Sequence, residues 1–185
     1  MVGEVRRRMV ASALRLIAER GVQGTSFADV LERSGAPRGS VYHHFPGGKD
    51  EMVAAGMDFM ATDGRATLAR LDGADVAGIV SGFVGMWRRL LEGGNYGVGC
   101  SVLGVTVTAE SEELRTAAGR VFETWAVDLA GLLVAAGVDG SAAESFAWML
   151  IASTEGAVAL ARAQRNTSAL DVVEQHLLRL GALLS

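Results

Sequence analysis

Apolar positions recur along this chain with a helical period, and the breaks between periodic stretches fall on glycine, proline or Asp-Gly. Val10, Ala13, Leu14 and Ile17 stand at i, i+3, i+4 and i+7, followed by Gly21 where a left-handed cap stops a helix, which predicts a first helix over about 5–20. Ser26 and Asp29 have the spacing of a capping box and precede Val30 and Leu31 on one face, so a short second helix is expected over 26–33. Ser34-Gly35-Ala36 breaks it. Pro37, with a fixed φ suited to a first turn, opens a third helix of about seven residues that Pro46 and Gly47-Gly48 must end. Longer helices follow over 49–71, 75–92, 99–109, 111–136, 141–164 and 168–184. The least helical stretch is Gly104-Val105-Thr106-Val107-Thr108, whose alternation reads as a strand in isolation, but it has no partner strand. The pattern predicts an all-α fold: three short N-terminal helices over residues 1–50, then a helical bundle over 51–185.

Composition narrows the class. Half of the 185 residues are hydrophobic and 21% are charged, which excludes intrinsic disorder. The one cysteine, Cys100, has no internal disulfide partner. The longest uncharged stretch, 93–109, holds five glycines and is too short for a membrane span, and the first residues lack the apolar core of a signal peptide. A cytoplasmic protein is expected. The net charge of −4 hides an asymmetry: residues 1–49 hold eight lysines and arginines against four carboxylates, residues 50–185 nine against seventeen. A basic head on an acidic body points to an anionic partner at one end.

Two short helices joined by a glycine-containing turn form a helix-turn-helix. At about 100° per residue with Val41 inward, Gly39, Ser40, Tyr42 and His43 point outward, Arg38 flanks them, and His44 turns inward with Phe45. A long cation, a hydroxyl, an imidazole, a phenol and a glycine permitting close approach suit a DNA groove. The run Ser34-Gly35-Ala36-Pro37-Arg38-Gly39-Ser40-Val41-Tyr42-His43-His44-Phe45-Pro46, followed by Lys49-Asp50-Glu51-Met52, resembles the DNA-binding head of the tetracycline-repressor (TetR) family, with upstream agreement at Ala13-Leu14, Gly21, Ser26, Val30 and Gly35. The resemblance covers about residues 8–55. It implies a homodimeric, all-helical transcriptional regulator, commonly a repressor released from DNA by a small molecule. By position it carries base and phosphate contacts onto Arg38, Gly39, Ser40, Tyr42 and His43, with Thr25, Ser26 and Lys49 on phosphates. Lys49 also has a physical rationale, since a helix N-terminus with an added lysine attracts phosphate. Gly47-Gly48 departs from the family, which often places a capping residue there, so a looser start of the fourth helix is expected. Arg6, Arg7 and Arg8 oppose the dipole of the first helix and read either as a solvated tail or as DNA-backbone contacts.

A regulator that reads two half-sites must pair two heads, which implies a symmetric dimer and a near-palindromic operator. Leu170, Val173, Leu177, Leu180 and Leu184 repeat at spacings of three and four, a seam for core or partner. The preceding helix carries a stripe of Leu150, Thr154, Ala157, Val158 and Ala161 opposite a second apolar side. These two helices are the expected dimer interface, through Leu150, Thr154, Ala157, Val158, Ala161, Leu170, Val173, Leu177 and Leu180. Phe83, Met86 and Trp87 share one helical face and Phe122 and Trp125 another; with Tyr96, Cys100, Leu103, Trp148 and Met149 they form either plain core or a pocket for a flat, lipophilic ligand. The turn at Gly99-Cys100, the apolar helix after it and Glu110-Ser111 resemble the branch of the family that contains the lincomycin-efflux repressor.

Catalysis has no visible machinery. His43 and His44 are adjacent, His176 is remote, and neither zinc-ligand spacing, a nucleophile elbow nor a phosphate-binding glycine fingerprint occurs. No enzyme activity, cofactor or metal is expected. Two other readings stay open: a helical protein-interaction module without specific DNA binding, and a thiol-sensing regulator using Cys100.

Overall fold

The structure, a computed structural model, describes residues 2–184; the outer ends of the expected domains, Met1 and Ser185, lie outside the described residues. Among these residues there are nine α-helices, one short 3-10 turn and no strand, and the whole expected helix order is present. Compactness divides the chain into two units: residues 1–62 with 100–121, and residues 63–99 with 122–185.

The first unit contains α1 (Val2–Arg20), α2 (Phe27–Ser34), α3 (Ser40–His44), α6 (Ser101–Thr108), and the beginnings of α4 (Lys49–Leu68) and α7 (Glu112–Ala135). It is therefore larger than residues 1–50. The physical reason is α6, which packs on α1: Thr108 Oγ1 accepts the Val22 N–H at 2.8 Å, and Gly104 lies so close to Ile17 that a Cβ there would meet its carbonyl oxygen at 3.1 Å. The strand-like alternation at 104–108 is helix, because the pattern has no second strand to satisfy its main chain and Val102 and Val105 are buried here. Met9, Val10, Leu14, Ile17, Val30, Val41, Phe45, Met52 and Met57 form the core of this unit.

The second unit contains the remainder of α4, a 3-10 turn at Ala69–Leu71, α5 (Val76–Gly93), the second half of α7, α8 (Gly140–Gln164) and α9 (Ser168–Gly181). α9 packs on both α5 and α8. Arg88 of α5 donates to Asp171 at 2.7 Å and Glu174 at 2.9 Å, pinning α5 to α9 at the edge of a core built on Ile79, Phe83, Leu91, Leu129, Phe146, Leu150 and Leu170. No helix among the described residues is long and apolar enough to cross a membrane.

Candidate nucleic-acid interface

The helix-turn-helix is set by local chemistry. Ser26 caps α2: its hydroxyl accepts the Asp29 N–H at 3.2 Å, while Asp29 accepts the Ser26 N–H at 3.1 Å, the reciprocal capping box expected from the spacing. Hydrogen bonds from the Ser26 hydroxyl and then from Arg20 hold the Asp29 carboxyl down at about 2. Glu19 is likewise held below the usual carboxylate range, first by a hydrogen bond from Arg33. Gly35 closes α2 in the left-handed region (φ 64°), its N–H donating to Leu31 O, a conformation that any side chain would strain.

Pro37 does not occupy the first turn of α3. Its carbonyl accepts the Ser40 N–H at 2.9 Å and the Ser40 hydroxyl at 2.6 Å, so Pro37-Arg38-Gly39 form a turn and α3 begins only at Ser40. The helix is shorter than expected because proline serves here as an acceptor at a turn, a role its fixed φ also permits. The facing is as expected: Val41 and Phe45 are buried, while Arg38, Gly39, Tyr42 and His43 are exposed. Tyr42 is 71% exposed, and its ring meets Phe27 of α2 edge-on at 6.0 Å, which fixes a large aromatic side chain in a solvent-facing position.

The other expected phosphate contacts are placed differently. Thr25 is only 2% exposed and its hydroxyl donates to Gly21 O at 2.9 Å, so its side chain is closed to a phosphate in this conformation. Ser26 is exposed but committed to its capping box. Lys49 Nζ donates to Val22 O at 3.1 Å and Thr25 O at 3.4 Å, tying the start of α4 to the turn between α1 and α2. Only Arg38, Gly39, Tyr42 and His43 therefore form one open face, with half-buried Ser40 at its edge. The fourth helix starts firmly in spite of Gly47-Gly48: Glu51 reaches back to accept the Gly47 N–H at 2.7 Å, supplying the cap that the glycines lack. That glutamate, three residues into the helix, was the available signal.

The expected ligand residues fall in both units. Cys100 and Leu103 belong to the first unit and the others to the second. Phe83, Trp87 and Trp125 are buried; Met86, Tyr96 and Phe122 are half-buried; Trp148 and Met149 are exposed on α8. Helix α8 is apolar on two sides, and periodicity alone does not say which side faces its own core. Within this set the informative atom is Trp87 Nε1, which is buried without a hydrogen-bond partner, as is Thr154 Oγ1. Cys100 is buried as the cap of α6, its Sγ accepting the Leu103 N–H at 3.4 Å.

The expected dimer seam is corrected in the same way. Leu150, Thr154, Ala157, Val158, Ala161, Leu170 and Leu177 are buried inside the chain's own second unit, and Val173 and Leu180 are half-buried there. The buried ones have little surface left to offer a partner. The opposite face of α8 is open, with Trp148 47% and Leu160 55% exposed and Ala152 and Gly156 between them; Val172 of α9 and Leu183 just beyond its end are exposed as well. Beside it an open groove of about 700 Å³ is lined by Ala126, Val127, Ala130, Val134 and Trp148, with Glu123 and Glu144. Among the described residues no group of three or more histidines, cysteines or carboxylates is arranged to hold a metal.

An all-helical chain with an exposed aromatic and cationic face on a short helix of a helix-turn-helix is a DNA-binding protein in form. Residues 10–55 match the bacterial regulatory proteins of the tetR family, and residues 77–176 match the C-terminal domain of LmrA/YxaF-like transcriptional regulators. An uncharacterised HTH-type transcriptional regulator of Mycobacterium tuberculosis is 34% identical, over 93% of this chain and 91% of the relative. The HTH-type transcriptional regulator LmrA of Bacillus subtilis is 27% identical, over 91% and 92%, and the HTH-type transcriptional repressor DhaR of a Mycobacterium species 27%, over 90% and 87%. The crystal structure of a TetR regulatory protein from Rhodobacter sphaeroides superposes with a TM-score of 0.82 at 23% identity, covering 94% of this chain and 96% of that one, which bears on the fold alone. The chain belongs to the TetR family of transcriptional regulators, in its LmrA/YxaF-like branch.

Proposed function

We propose that the protein is a homodimeric repressor that binds a near-palindromic operator through α3 and leaves it when a small lipophilic ligand enters the second unit. In this reading DNA contact lies in residues 1–50, pairing and ligand binding lie in 51–185, and the protein acts on DNA in the cytoplasm without catalysing a reaction. The observation that carries it is the outward face of α3 and of the turn before it, where Arg38, Tyr42 and His43 stand exposed and make no hydrogen bond or ion pair among the described residues. Pairing uses the outer face of α8 and α9: large Trp148 and Leu160 flank small Ala152 and Gly156, a relief that a second copy complements about a twofold axis. The ligand carries an acceptor for Trp87 Nε1 and a partner for the Thr154 hydroxyl, since buried polar atoms left unsatisfied cost about 1–3 kcal/mol each.

Coupling between the two sites is reciprocal, so a ligand that weakens operator binding is itself bound more weakly by the operator complex. The experiment is selection of duplexes from a random pool by the purified protein, repeated with lipophilic compounds present. A recovered motif with twofold symmetry, lost from the pool when an effective compound is added, is the expected result; recovery of unrelated duplexes only would rule the reading out.

A further inference from the structure

The cations of residues 1–50, with Arg115, fall into two sets. Arg15, Arg20 and Arg33 each pair with Glu19 or Asp29, Lys49 is bound to main-chain carbonyls, and Arg115 donates to the carbonyls of Ala109 and Glu110. Arg6, Arg7, Arg8 and Arg38 are exposed and make no ion pair or hydrogen bond among the described residues. Three of these four stand side by side in the second turn of α1 with no carboxylate or carbonyl partner among the described residues, so no contact within the chain accounts for their clustering. One of the three is held in place. The Arg6 guanidinium lies over the ring of Phe45, 5.0 Å from its centroid. Phe45 is fully buried and its N–H ends α3 on Val41 O, so the contact fixes a cation beside the C-terminal end of the helix that carries Tyr42 and His43. Arg38 stands just before the N-terminal end of the same helix.

Helix α3 covers only about 7.5 Å at 1.5 Å per residue, so Arg6 and Arg38 bracket it. A duplex receiving this helix presents phosphates on both walls of a major groove about 12 Å wide. A guanidinium stacked on a ring by its face keeps its N–H edge open to a phosphate. We propose that Arg6 is a phosphate-contacting residue of the DNA interface, at the opposite end of α3 from Arg38, and that Phe45 positions it. This rests on the DNA-binding reading above and extends the interface beyond the helix-turn-helix to the start of the chain.

The test uses the full chain and a duplex recovered with it from a random pool, titrated by fluorescence anisotropy at salt concentrations between about 50 and 200 mM. Arg6→Ala is expected to lower the slope of log affinity against log salt by about 0.9, one phosphate, and to weaken binding roughly tenfold at the lowest salt on selected and scrambled duplexes alike. Arg6→Gln, which keeps the stem and a planar group over Phe45, gives the same slope loss and guards against a folding defect. Arg70→Ala removes an exposed cation of the 3-10 turn and leaves the slope unchanged. A fall in thermal midpoint for both Arg6 variants with the wild-type slope retained would assign Arg6 to packing alone and overturn the proposal, as would an equal slope loss in Arg70→Ala. A wild-type chain that binds no duplex defeats the DNA reading itself; wild-type binding with indistinguishable Arg6 variants defeats only this extension.

Discussion

Tyr42 concentrates the argument at the scale of single residues. An aromatic ring braced by Phe27 and otherwise in solvent contributes little to the core, so Tyr42→Ala should leave urea unfolding within about 0.5 kcal/mol of wild type, as surface substitutions do. The same substitution should weaken binding to a selected duplex by at least tenfold, about 1.4 kcal/mol, measured by anisotropy. Asp29 tests the cap. Its carboxyl is held at about 2, below the ordinary 3.8, so the charged form favours the folded state. That contribution is complete above the unfolded value and is lost as pH falls from about 4 towards 2. Stability of the wild type should therefore drop through this window more steeply than that of Asp29→Asn, followed by helical circular dichroism; identical slopes would remove the capping box from the account. The capping box, Gly35 and the inward Val41 were legible in the sequence because each is a local rule about hydrogen bonds, φ or period. The engagement of Lys49 and Thr25 was not, because main-chain carbonyls of a turn compete for them and no side-chain pattern announces that.

At the scale of elements, the positions of all nine helices were legible because glycines and Asp-Gly pairs punctuate long apolar periods. What could not be read was the direction each side faces. The three-and-four spacing of α9 and the Leu150–Ala161 stripe of α8 describe core and seam equally, and here they are mostly core, while the outward side of α8 is defined by Trp148, Ala152, Gly156 and Leu160. A close approach also escapes periodicity. Gly64 of α4 lies against Trp125 of α7, and a Cβ at that position would overlap the indole nitrogen. Gly64→Ala gains up to about 1 kcal/mol of helix propensity but forces Trp125 to move, an overpacking cost of about 1–3 kcal/mol. A net loss of stability in urea, with a changed tryptophan emission spectrum, is expected; a stabilised protein with wild-type emission would show that the contact yields freely.

At the scale of the whole molecule, the cation excess of residues 1–49 and the carboxylate excess of 50–185 agree with the proposed placing of the phosphate partner at one end of the chain and of pairing on apolar surface. Leu160→Glu puts a carboxylate on the outer face of α8, at an exposed position outside the core. The variant should remain helical and sediment as a monomer at micromolar concentration where the wild type sediments as a dimer; a dimeric variant would move the interface elsewhere. In the proposed dimer two weak heads act as one tight, symmetric reader, which gives an α3 of five residues enough contacts to select a sequence. The most direct measurement of the central claim is the affinity of the wild-type chain for a selected duplex against a scrambled duplex of the same length, at about 0.15 M salt. A regulator reading base edges through α3 binds the selected duplex at least about 10³-fold more tightly. Equal affinity for the two duplexes would contradict it.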